Sequence, residues 1–89
     1  MIDRQQLAQV INNLVVNYKG IISIERFYRK LNRLIKNIAK YCNEEIFVEL
    51  KTTIKYIHKY MMAGDYDETI VNDCIYILRK ISISLLVFK

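Results

Sequence analysis

Between Ile24 and Cys42 the chain is written as two faces. Ile24, Tyr28, Leu31, Ile35, Ile38 and Cys42 recur at intervals of 4, 3, 4, 3 and 4 residues, a repeat that only an α-helix brings to one side. Phe27, Leu34 and Tyr41 widen that seam along one flank. The result is too broad for a two-stranded coiled coil and fits a helix packed inside a bundle. Ile35 stands at the middle of the seam, where a buried charge is expected to unfold the protein. The opposite face carries Arg26, Arg29, Lys30, Arg33, Lys36 and Lys40, with Glu25 as the only acid in the segment.

The remainder of the chain predicts three more helices. Asp3 followed by Gln6 has the spacing of a capping box. Leu7, Val10, Ile11, Leu14, Val15 and Tyr18 then form an apolar stripe, and Gly20 follows Lys19 as a stop. This places helix 1 at about 4–19. Ser23 is the expected cap of helix 2, at about 24–42. Asn43, with Glu44 and Glu45 behind it, opens helix 3 at about 44–63, which closes at Ala63-Gly64. Asp65 or Asp67 caps helix 4, at about 66–85, whose stripe runs Ile70, Val71, Cys74, Ile75, Leu78, Ile81 and Leu85. Beyond Ile81 the pattern blurs, because Ile81-Ser82-Ile83-Ser84-Leu85 alternates as a strand would. With two Gly and no Pro in 89 residues, there are too few breakers for an all-β domain, which needs a turn every ~8–12 residues. The reading is all-α: one domain over 1–89, a small antiparallel four-helix bundle with short connections.

A chain of this length has room for one modest core and no second domain. Its net charge of +5 and pI near 9.3 admit anionic partners such as nucleic acid, an anionic membrane or an acidic protein face, or serve solubility alone. Cys42 and Cys74 lie far apart with no metal-type spacing, so reduced thiols in a cytoplasmic setting are expected over a disulfide. Asp3, Arg4, Gln5, Gln6 and Gln9 stand where a signal core would begin, and no apolar run reaches the ~20 residues of a membrane span.

Candidate chemistry is sparse. The sole histidine, His58, has Ile54, Lys55, Met61 and Met62 one helical turn away, none of which supports acid–base or metal chemistry. Cys42 has Lys40 nearby, which could lower a thiol pKa, but it sits on the seam and is expected to pack. Asp65, Asp67, Glu68 and Asp73 suggest a calcium loop, yet the positions for its glycine and its bidentate glutamate fall on Ile70 and Tyr76. Helix capping accounts for these acids, and the corner they form could meet the basic stripe of a second copy. No catalytic residue, cofactor site or metal site is expected.

Three features point outward instead. The basic stripe Arg26, Arg29, Lys30, Arg33, Lys36 and Lys40 can meet an acidic protein surface or track phosphates, or it is simply the solvated back of a buried helix. Tyr18, Tyr28, Tyr41, Tyr60 and Tyr76 sit on or beside apolar stripes, whereas Tyr56 and Tyr66 are the expected exposed aromatics. Ile83, Leu86, Val87 and Phe88 make more apolar surface than one face of a helix end can hide, which predicts a self-association site, a fold-back over the bundle end or a membrane contact.

In size, charge and architecture the chain resembles the small basic four-helix immunity proteins of bacteriocin producers, and likewise small phage or viral inhibitors of host proteins. The likeness is one of outline and carries no residue. It implies action by protein–protein contact. The expectation is therefore a non-enzymatic regulatory module that binds a protein partner or itself as a homodimer; the alternative is a nucleic-acid-binding regulator using the basic face of helix 2.

Overall fold

The computed structural model describes residues 3–18, 23–65 and 67–87. They form α1 (Arg4–Val16), α2 (Ile24–Tyr41), α3 (Glu44–Ala63) and α4 (Glu68–Val87), the expected antiparallel four-helix bundle. Each helix packs on its chain neighbour, and α4 closes the ring on α1.

Local chemistry sets most of the helix ends. The Asp3 carboxylate accepts from the Gln6 amide at 2.8 Å, and the Gln6 side chain accepts from the Asp3 amide at 3.1 Å, completing the capping box. Asn43 Oδ1 accepts from the Ile46 amide at 2.9 Å. At the other end of α3, Gly64 takes φ +76°, a region that a side chain would strain. There the Gly64 amide donates to Met61 and the Asp65 amide donates to Tyr60, the paired bonds of a Schellman stop. Asp67 caps α4 by accepting from the Thr69 amide at 2.9 Å.

Several boundaries differ from expectation. Helix α1 ends at Val16, because Asn17 takes the C-cap and the Tyr18 amide bonds back to Val15 in a tightened last turn. Lys19 and Gly20 lie outside the described residues. Ser23 occupies the N-cap of α2, but its ψ of 5° is not the extended backbone that aims a hydroxyl at the first turn, and it makes no capping bond. Helix α2 stops at Tyr41, with Cys42 extended beyond it. Helix α4 starts at Glu68, one residue after its cap, and runs on to Val87. The strand-like alternation over Ile81–Leu85 is overridden because Ile81, Ser82 and Leu85 share the buried face of a helix.

The core comes from all four helices: Leu7, Ala8, Ile11, Leu14 and Val15 of α1, Phe27, Leu31 and Ile38 of α2, Leu50, Ile54 and Ile57 of α3, and Val71, Cys74, Ile77, Leu78, Ile81 and Leu85 of α4. On α2 the buried line passes through Phe27, Leu31 and Ile38, whereas Ile24, Tyr28, Ile35 and Cys42 are half-buried on one side. The helix is therefore rotated toward its expected flank, and Leu31 replaces Ile35 as the central core position. Val10, expected on the α1 stripe, lies at the core's edge, and Ala8 takes a place inside. Ser82 is buried as well. Its Oγ lies 3.0 Å from Asn12 Oδ1 and 3.4 Å from the Ala8 carbonyl. The small pair Ala8 and Ser82 lets α1 and α4 approach closely, and these two share the most extensive of the helix–helix interfaces. The α1–α2 interface is the least extensive of the four, and the candidate site lies along it.

Candidate functional site

Because α1 is drawn onto α4, its other flank does not close fully against α2. A cleft of about 320 Å³ runs between them. Its floor is apolar: Val10 and Leu14 from α1, Phe27 and Leu34 from α2, and Tyr18 at the end. Tyr18 tilts its ring onto Phe27, with centroids 5.2 Å apart. Asn13 and Asn17 supply amide groups along the α1 wall, and Arg26, Lys30 and Arg33 form the rim on α2. Among the described residues no carboxylate lines the cleft.

Helical geometry divides the basic stripe in two. At 100° per residue, Arg26, Lys30 and Arg33 fall on the flank of α2 that faces α1, while Arg29, Lys36 and Lys40 fall on its back. All six are exposed. Arg29 is paired with Glu25 one turn away, whereas Arg26, Lys30 and Arg33 have no ion-pair partner among the described residues. Lys36 and Lys40 on the back of the helix also lack such a partner among the described residues. What sets Arg26, Lys30 and Arg33 apart is their place over the apolar floor, where they raise the potential over a surface that water solvates poorly.

The apolar tail is described up to Val87. Ile83, Leu86 and Val87 are 62, 55 and 67% exposed on the last turns of α4, which is helical through Val87. Phe88 lies outside the described residues. Tyr56 is exposed as expected, and Tyr66 lies outside the described residues. Tyr76, expected on or beside the apolar stripe, is 64% exposed, with Lys80 Nζ 5.0 Å from its ring centroid. None of the described tail residues lines the α1–α2 cleft.

The remaining candidates have structural roles. The His58 imidazole is exposed and stacks on Tyr28 at 5.3 Å, a pairing between helices that one-turn spacing could not reveal. Both cysteines are free. Burial pushes the Cys42 thiol up, opposite to the lowering that Lys40 could have produced. Burial also pushes Cys74 to about 11, against a smaller lowering effect from the Thr53 hydroxyl. Both sulfurs are held in the unreactive thiol form. Among the described residues no group of three His, Cys, Asp or Glu side chains could hold a metal ion, and no helix is long and apolar enough to cross a membrane.

The cleft itself was not legible in the sequence. Periodicity places its floor residues in the core, where Leu14 and Phe27 do lie, and its rim on a continuous outer face, and neither shows the gap between α1 and α2. The available signal was the asymmetry of the cations, three of which follow Phe27 and Leu34 around one side of the helix. No protein-family model matches the chain, and no curated protein or solved structure is significantly similar to it.

Proposed function

We propose that this protein is a non-enzymatic helical module that acts by binding another protein, with the α1–α2 cleft and its cationic rim as the contact surface. One observation carries the reading: Arg26, Lys30 and Arg33, with no ion-pair partner among the described residues, rim an apolar cleft. A protein interface combines an apolar centre with a charged rim, and arginine beside aromatic surface is typical of its energetic centre. The exposed Ile83, Leu86 and Val87 provide a second surface, suited to self-association. A non-enzymatic role is supported by His58 stacking on Tyr28 in the open and by thiols held protonated, since neither is arranged as a base or nucleophile.

The nucleic-acid reading draws on the same cations. A duplex contact would need the back of α2 as well, because phosphates follow charge and gain nothing from an apolar floor. The deciding experiment is affinity capture from native lysate with and without nuclease, using wild type and Lys30→Glu/Arg33→Glu. The protein-binding reading expects a protein that resists nuclease and is lost with the variant. Recovery that disappears on nuclease treatment overturns it in favour of nucleic acid.

A further inference from the structure

We infer that the occupant of the α1–α2 cleft is an acidic amphipathic helix of the partner protein, laid between α1 and α2 as a fifth helix; this rests on the protein-binding reading above and names its ligand.

The size and shape of the cleft suit such a guest. Its α1 wall runs from Val10 to Tyr18 and its α2 wall from Ser23 to Leu34, which at 1.5 Å per residue is about 12 and 16 Å. That length matches roughly three helical turns of a guest. The volume of about 320 Å³ is about twice that of a ~150 Å³ cavity that accepts one benzene ring, enough for two apolar anchors. Val10 and Leu14 are one turn apart on one wall, and Phe27 and Leu34 are two turns apart on the other. Anchors spaced i, i+4 or i, i+3 would lie against both walls.

Charge and hydrogen bonding specify the rest. Arg26, Lys30 and Arg33 recur at 4 and 3 residues, so they extend about 10 Å along one flank. Glutamates or aspartates at the same spacing on a facing helix would meet them one for one. A guest strand would need a row of unpaired backbone groups to bond with, and along both walls the helix interior pairs its own backbone, leaving only the first turn of α2 uncapped. A guest helix brings its backbone satisfied and presents only side chains, which is all the cleft offers.

The test is selection by the full-length protein from a displayed library of 14-residue helical peptides randomised for apolar, acidic and basic residues. The inference expects enriched peptides with two apolar residues at i, i+3 or i, i+4, flanked by Glu or Asp. Synthetic versions should bind Val10→Glu about tenfold or more weakly, the loss of one buried anchor contact. Arg26→Glu/Lys30→Glu/Arg33→Glu should select basic helices instead. All four positions are exposed, and an unchanged circular dichroism spectrum confirms that the variants fold. Failure to enrich any helix, enrichment without acidic residues, or acidic helices that bind Val10→Glu undiminished would each overturn the inference. If the helix selection fails while a nuclease-resistant partner is still captured through Lys30 and Arg33, the protein-binding reading stands and only the helical occupant falls.

Discussion

The Tyr18 ring lies 5.2 Å from the Phe27 ring at an interplanar angle of 55°, joining the residues just after α1 to the first turn of α2 across the end of the cleft. Tilted aromatic pairs of this kind contribute about 0.5–1.5 kcal/mol beyond the area they bury. Tyr18→Leu should therefore lower the melting temperature by several degrees, and Phe27→Ala should cost about 3–5 kcal/mol. Thermal melts of the two variants check the order.

The rotation of α2 sets a second comparison. Leu31 is fully buried, whereas Ile35 is half-buried. Leu31→Ala should cost about 2–5 kcal/mol in urea unfolding, and Ile35→Ala clearly less. Leu31→Asp should abolish the fold, while Ile35→Asp, with water within reach, should leave measurable helicity.

These two residues also show how far the sequence could be read. Helix ends governed by neighbouring residues, such as Asp3 with Gln6, Asn43 with Glu44, and Ala63 with Gly64, were legible because the chemistry is local. Periodicity gave the inward half of α2. It could not decide between the flank carrying Phe27 and the flank carrying Ile35, because that choice belongs to the helices packed against it. The burial of Ala8 and Ser82 was hidden for the same reason: a small residue marks close approach only when the facing helix is known. The cleft follows from that approach, so periodicity alone gives its floor as core positions, true of Leu14 and Phe27, and leaves the opening beside them unseen.

Ser82 links α4 to Asn12 and Ala8 of α1 through a buried hydroxyl. Ser82→Ala should cost about 0.5–1.5 kcal/mol, since exposed Asn12 can turn to water. Ser82→Leu should cost more, about 1–3 kcal/mol or above, by forcing α4 away from Ala8. Equilibrium unfolding of both variants tests whether close approach matters more than the hydrogen bond.

Cys74 makes stability depend on alkaline pH. Its thiol is raised to about 11 in the folded protein, from an ordinary value of 9.0. Between those values the unfolded chain releases a proton that the folded chain keeps, so stability is full below pH 9 and declines as the pH rises toward 11. The decline from this group should be about 2–3 kcal/mol. Cys74→Ala should be less stable at pH 8, and its disadvantage should shrink toward pH 11; a gap that stays constant contradicts the assignment.

The most direct test of the cleft as the binding surface is methyl NMR of the labelled protein during titration with a selected acidic helical peptide. The account predicts that the methyl signals of Val10, Leu14 and Leu34 shift together and saturate with one peptide per chain. Shifts confined to Ile83, Leu86 and Val87 on α4, with those three cleft signals unmoved, would contradict it.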